Sequence, residues 1–443
     1  MGQLRLLGGF ALGVGFFAAL PAAVAQTVLC DCENIYGSTA TTSATLGDSG
    51  SSTDVPAPRA KSKSKIDPYA INGYDDGAFQ LKPTLGIGTV YTNNAALSPT
   101  ARVSDVGLEL KPTLTFQSEW PRHDWHGSVG VDWQHYLNTP SANILTGAAD
   151  TSFRLDIRRD TYADFAANYA VTSSTAGSQE VPGNAAEPRR NTSFGSAMGI
   201  THDFGPMQAN MKVAAARYAY SDVALVGGGT EINSDRNYWE PSLSLRGGLG
   251  TNGSRLKPYV ELTYDPRLHD QALDRNGQRR NSQGFGAALG VSLDDGPIWT
   301  GDISANFIAR SYDDPALKTA MALGVNGSIT WSPTSLLNVV ATTSVALNDS
   351  EQLNISATPT WTASLNGTYT LRDNVNLRAG GSASFSGNGT GIDTTLVASA
   401  GADWLLNPNL SLSGTLQSTW YNAAAVASRY DEQRAVLSVV VKP

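Results

Sequence analysis

From Phe79 onward the chain alternates apolar and polar positions with a period of two. In "FQLKPTLGIGTVY" one set is Phe79, Leu81, Pro83, Leu85, Ile87, Thr89 and Tyr91, and the other is Gln80, Lys82, Thr84, Gly86, Gly88, Val90 and Thr92. Side chains of a strand point to opposite faces in turn, so this stretch predicts a β-strand with one apolar and one polar face. "LELKPTLTFQ", from Leu108 to Gln117, repeats the pattern in the same phase, and "LKPYV" at 256–260 is a third variant of the shared LKPTL. The repeat reads as a wall segment drawn more than once. Proline cannot donate to a ladder, so a local bulge is expected at each LKPTL.

Alternating segments recur to the C-terminus. Eighteen are predicted, over 79–91, 105–117, 125–136, 149–158, 161–171, 192–202, 207–219, 238–249, 256–264, 284–293, 298–311, 317–331, 336–347, 355–371, 374–385, 393–405, 410–421 and 433–441. Short polar turns such as "RRD", "DFGP", "DDGP" and "NPN" follow the even strands, and longer connections such as "SDVALVGGGTEINSDRN" follow most odd ones. An even number of strands of about ten residues, with short turns at one end and long loops at the other, predicts an all-β fold: a transmembrane antiparallel up-and-down β-barrel. The turns would be periplasmic, the loops extracellular and the location the cell outer membrane.

Tryptophan tests this register, because in a lipid-embedded barrel aromatic rings collect at the two interfaces. Trp125, Trp299, Trp331 and Trp404 fall near the turn-side strand ends, and Trp133, Trp239, Trp361 and Trp420 near the loop-side ends. These eight form the expected membrane girdles facing outer-membrane lipid, while Trp120 lies in a turn. A soluble sandwich or propeller would alternate too, but has no reason to place aromatics in two bands.

Residues 1–25 read as a secretory signal, with Arg5, the apolar run "LLGGFALGVGFFAAL" and Ala23-Val24-Ala25 before Gln26. Residues 26–66 read as a disordered periplasmic tail and 67–443 as the barrel. The tail is almost free of large apolar residues between Gly37 and Lys65 and cannot offset its ordering entropy. Cys30 and Cys32 stand in it; Leu29 is too bulky for a lipoprotein signal, which leaves a metal pair, a partner disulfide or two cysteines on a tether. No later window approaches the roughly 18 apolar residues of a spanning helix. Charged residues make up only 16% of the chain, and the net charge of −8 argues against a nucleic-acid partner.

The polar face of the first nine strands carries Lys82, Glu109, Lys111, Asp132, Arg154, Asp156, Arg158, Asp164, Lys212, Glu240, Arg246, Lys257 and Glu261. Strands twelve to seventeen carry mostly hydroxyls and amides there, including Asn326, Thr342, Ser344, Thr360, Thr362, Ser364, Ser382, Ser384 and Ser413. Eighteen strands enclose a space wide enough for an aqueous channel, in which charges of both signs set ion selectivity and hydroxyls suit neutral hydrated solutes. No catalytic, metal or cofactor site is expected. His123 and His126 of "HDWH" would face differently, no nucleophile-elbow spacing occurs, and "GLGTNG" at 248–253 sits in a turn with no helix after it.

The stretch "DPYAINGYDDGAFQLKPTLGIGTVYTNN", Asp67 to Asn94, followed by the hairpin array, resembles the putative β-barrel porin family of bacterial outer-membrane proteins. The resemblance covers most of the chain after about residue 67. It implies a porin-like channel for small hydrophilic solutes, inserted by the barrel-assembly machinery. Because some members of that family sit in exopolysaccharide operons, it also implies an alternative as an accessory of polysaccharide export, with polysaccharide or periplasmic export components as partners. A barrel that only anchors its loops is the remaining alternative. One departure is the end "RAVLSVVVKP", which lacks the aromatic tip typical of such barrels.

Overall fold

The computed structural model describes residues 69, 73–174, 181–250, 254–350, 352–387, 391–424 and 429–442. The signal segment, the tail and both cysteines lie outside the described residues. The wall is built from β1 (Phe79–Thr92), β2 (Asp105–Ser118), β3 (Asp124–Tyr136), β4 (Ile144–Arg158), β5 (Thr161–Ser174) and β6 (Arg189–Asp203). It continues through β7 (Met207–Tyr220), β8 (Tyr238–Leu249), β9 (Leu256–Tyr264), β10 (Ser282–Asp295), β11 (Trp299–Tyr312) and β12 (Ala320–Thr334). The last six are β13 (Leu337–Asp349), β14 (Ala357–Arg372), β15 (Val375–Gly387), β16 (Ile392–Asn407), β17 (Leu410–Asn422) and β18 (Tyr430–Val441).

Each strand pairs antiparallel with the next, and β18 returns to β1 from Leu85↔Val441 to Thr92↔Arg434, so the eighteen strands close into one barrel. The part of β1 that outlasts β18 is covered by a short strand, Tyr74–Asp75, which pairs with Leu81 and Gln80. Connections after even strands are two to six residues long, and those after odd strands four to seventeen. The expected bulges are absent. β1 and β2 pair without a register shift from Phe79↔Ser118 to Thr92↔Asp105, through Pro83 and Pro112. On its other edge β2 drops the pairing at Lys111 and Pro112 and resumes in the same register at Thr113↔Gly130. The missing proline N–H thus costs a rung and leaves the register intact. The fourth strand begins at Ile144, five residues before the predicted 149, because Ser173 Oγ on β5 bonds both the N–H and the C=O of Leu145.

The period-two pattern sorts cleanly between the two faces. Val106, Leu108 and Leu110 of β2 are exposed on the outside, while Glu109 and Lys111 between them are each 4% exposed on the inside. An apolar exterior needs no cover in lipid, since hydrocarbon is as apolar as leucine. Trp125, Trp133, Trp239, Trp299, Trp331, Trp404 and Trp420 all stand on the exposed outer face. Trp299 pairs directly with Trp331, and their rings stack at 5.6 Å. Trp120 joins the turn-side band rather than standing apart: its ring lies 5.3 Å from Phe79, 6.1 Å from Trp125 and 6.4 Å from Phe153.

Adjacent residues on β14 provide a direct test of the face assignment. Leu365 is 56% exposed outside, whereas Asn366 faces inward opposite Val340 and Gly380. Leu365→Arg is expected to cost about 2–4 kcal/mol at the bilayer midplane and Asn366→Arg less than about 1 kcal/mol. Equal stabilities in refolding titrations into lipid vesicles would contradict the register.

Candidate pore lining

The inward faces of neighbouring strands tie their charges into local networks. On the turn side of β8–β11, Arg246 stacks 3.4 Å over the Tyr259 ring and donates to Asp302 at 2.9 Å and Ser292 at 2.7 Å. Glu261 lies 4.0 Å from the same guanidinium, and Tyr259 hydroxyl donates to Asp302. A cavity of about 320 Å³ opens beside this network, lined by Arg159, Asp203, Gln208, Lys257 and Tyr259 among others. Four strands further round, Arg378 of β15 holds Asp403 at 2.9 Å, and Ser413 donates to the same carboxylate at 2.7 Å.

On the arc from β18 to β3, Gln134 donates to Glu109 at 3.2 Å and Asp132 at 3.0 Å and accepts from Arg434. Along β13–β15 the hydroxyls bond across strands: Thr342 to Ser364 and Ser344 to Thr362, each at 2.6 Å, and Thr360 to Ser386 at 3.2 Å. The hydroxyl wall is therefore substantially satisfied by itself.

The loop-side mouth is narrowed by the 265–281 segment, which leaves β9 and crosses toward β13 and β14. Arg267 donates to Glu240 of β8 at 3.3 Å, to Asp349 at the end of β13 at 2.9 Å and to the Leu347 carbonyl at 3.0 Å. Glu240 also takes Arg310 of β11 at 3.3 Å, and Arg310 bonds both the carboxylate and the carbonyl of Asp265. His269 lies 3.4 Å from Asp349, and Tyr312 hydroxyl donates to Asp349 at 2.9 Å. Further along, Arg280 donates to the carbonyls of Ile355 at 2.7 Å and Gln352 at 3.1 Å, and Gln278 and Asn354 exchange two bonds. On the near side Arg275 holds Asp235 at 3.0 Å and the Ile232 carbonyl at 2.6 Å. The segment is fastened to two loops at once.

The model of the family described as Putative beta-barrel porin 2 matches residues 67–443. The chain belongs to this family. Among solved structures this β-barrel porin is similar to the FrpB iron transporter from Neisseria meningitidis, with 8% identity over 84% of this chain and 83% of that one and a TM-score of 0.38. It is also similar to OccK8 (OprE) from Pseudomonas aeruginosa, with 11% identity over 84% of this chain and 100% of that one and a TM-score of 0.40. The siderophore receptor PirA from Pseudomonas aeruginosa is similar at 9% identity, over 82% and 80%, with a TM-score of 0.36. No curated protein matches.

In this porin the structure places the sequence-predicted charges on three arcs of the inner wall. Glu109, Lys111 and Asp132 meet on β2–β3; Lys212, Glu240, Arg246, Lys257 and Glu261 line β7–β9; Lys82 stands apart on β1. Arg154 pairs with Asp156 at 3.1 Å and covers the Tyr162 ring at 3.6 Å, while Arg158 is exposed at the turn-side end of β4. Several charges that make these bonds went unnoticed in the sequence, among them Arg267, Arg310, Asp349 and Arg378. Arg310 was readable, since it continues the inward phase of Asp302, Ser304 and Asn306, and Arg378 likewise precedes Ser382 and Ser384. Arg267 follows Pro266 outside any alternating run and gives no periodic signal. The 265–281 loop folds inward across the mouth; the loop after β5 includes residues 175–180, which lie outside the described residues.

The loop fastening predicts an acid response. Burial opposes ionisation of Asp235 and of Asp274, but hydrogen bonds from Arg275 to the first, and from the Gln278 amide and Arg280 to the second, draw both below the usual carboxylate range. A depressed folded pKa contributes stability that is complete above the unfolded value and lost as pH falls through the folded one. Amide exchange of residues 270–280 is therefore expected to stay slow as pH falls through about 4 and to accelerate only below it. Acceleration already at pH 5 would contradict these contacts.

Proposed function

We propose that this porin is a passive outer-membrane pore for small hydrophilic solutes, narrowed on its loop side by the 265–281 segment and without catalytic activity. The observation that carries this reading is the inner face itself. Acidic and basic side chains line arcs on opposite sides of the barrel, Arg246, Glu261 and Arg310 on β8–β11 with Arg267 on the loop between them, against Glu109, Asp132 and Arg434 on β18–β3. Buried charges are costly without water or partners, and a hydrated lumen supplies the water that a packed core does not. Opposed charge arcs set a transverse field, so permeating ions feel the balance of fixed charge as well as the width. Lipid covers the exterior, the family's assembly route delivers the barrel, and the turn side faces the periplasm.

Purified protein in a planar bilayer is expected to give stable ohmic conductance. Gln278→Ala with Arg280→Ala, which unfastens the crossing segment from 352–355, is expected to raise single-channel conductance. Charge reversal at Arg154 and Arg158 is expected to move the reversal potential in a salt gradient toward cation preference, because positive charge leaves the lumen. A wild-type barrel that never conducts, and stays silent with the segment unfastened, would overturn the pore and favour the anchoring role.

A further inference from the structure

The wall has one lapped joint. Beyond a bulge between Trp331 and Thr334 beside the turn, β12 and β13 pair in one register from Trp331↔Val339 up to Gly327↔Thr343, and no further, although both strands continue for six more residues or so. Extending the register would set Val325 opposite Val345 and Leu323 opposite Leu347. Instead Val345 and Leu347, in the outward phase of β13, are 1% and 3% exposed and pack with Ala322, Ala320 and Ile308, which are in the inward phase of their own strands. The loop-side end of β13 thus slides behind β12. Gly324 makes room for it: a Cβ there would lie 2.6 Å from the Val345 Cβ.

The backbone groups left over at the joint are taken by side chains. Trp361, reaching past β13 from β14, donates its indole N–H to the Leu323 carbonyl at 2.9 Å. Thr343 hydroxyl donates to the Val325 carbonyl at 3.1 Å, and the Val345 amide donates to Asn326 Oδ1 at 2.7 Å. The Leu347 carbonyl receives Arg267, the residue that also anchors the crossing segment to Glu240 and Asp349. An unpaired backbone group in a wall facing lipid is strongly unfavourable, so these four side chains make the open joint tenable.

We propose that the β12–β13 joint is a two-position gate coupled to the constriction, lapped while Arg267 draws the end of β13 into the lumen and zipped into a regular ladder when it lets go. Release removes the partner of the Leu347 carbonyl, and the nearest replacement is an amide of β12. Turning Val345 and Leu347 out to lipid carries little penalty, because lipid tails are as apolar as the alanines they leave. Zipping moves the end of β13 outward and frees the crossing segment from its far anchor, which widens the mouth. The coupling to pore width rests on the conduction reading; the joint itself does not.

The test is a disulfide, read independently of conductance. In a Cys30→Ser, Cys32→Ser background, Leu323→Cys and Leu347→Cys stand on opposite sides of β12 in the lapped position and directly opposite each other in the zipped one. Ile329→Cys with Ala341→Cys, already paired, is the control for folding and oxidation. Under mild oxidant the 323–347 disulfide is expected to be scarce alone and to rise several-fold with Arg267→Ala, which removes the pull from inside. It is expected to rise as well with Gly324→Ala, which denies β13 its place behind β12. With the control pair oxidised throughout, a 323–347 disulfide equally abundant in all three backgrounds, or absent from all three, overturns the gate. If the disulfide responds as stated but no variant conducts, the gate stands and the conduction reading falls.

Discussion

Within hydrocarbon a backbone N–H or C=O has no water to turn to, so a strand wall must satisfy every one of these groups internally. Everything else in this barrel follows from that demand. It requires β18 to return to β1, and it requires Tyr74–Asp75 to cover the edge of β1 that β18 leaves bare. It also fixes the faces, because a ladder continuous around eighteen strands leaves each side chain only two directions, lipid or lumen. Where prolines remove a donor, at Pro112, the ladder drops a rung and keeps its phase, since a slip of one residue would turn every following side chain to the wrong face.

This is why the fold was legible in the sequence. Alternation, turn length and the outward tryptophans all report the same local constraint, and a period-two pattern survives a missed boundary such as the late start assigned to β4. The interior was legible only in part. Phase says that Glu240 and Arg310 point inward, but not that they meet, because β8 and β11 are neighbours only by way of two intervening strands. The partners of Arg267 lie 27 and 82 residues away on the wall, and Arg267 itself belongs to a loop whose path no periodicity describes. The expected bulges failed for a related reason: the preference against proline in strands is a statement about one rung, and the neighbouring rungs of β1, β2 and β3 hold the register through Pro83 and across Pro112.

The lumen shows what happens when charges are confined to a single face. Some arginines bridge several acceptors at once, Arg378 between Asp403, Ser413 and Thr415, and Arg267 between two carboxylates and a carbonyl. Planar guanidinium groups suit this bridging, and a lysine ammonium at the same points would lose the fixed fork that spans neighbouring strands. Glu240 is the counterpart on the acid side, shared between Arg267 from the loop and Arg310 from β11, so one carboxylate ties the constriction and β11 to β8.

Trp361 shows the demand for satisfied backbone acting through a residue expected only to mark the membrane surface. A tryptophan at the interface gains from burying its ring and from finding a partner for its N–H. Here the partner is the Leu323 carbonyl, a backbone group that β13 has abandoned. One side chain thus serves as girdle and as the outer pin of the lapped joint, while Arg267 pins the same joint from inside. The two pins differ in what can reach them. The indole faces lipid, whose composition changes slowly, whereas the guanidinium stands among carboxylates at the mouth, where solutes, salt and protons compete for the same bonds. If the joint moves, the cause comes from the lumen side.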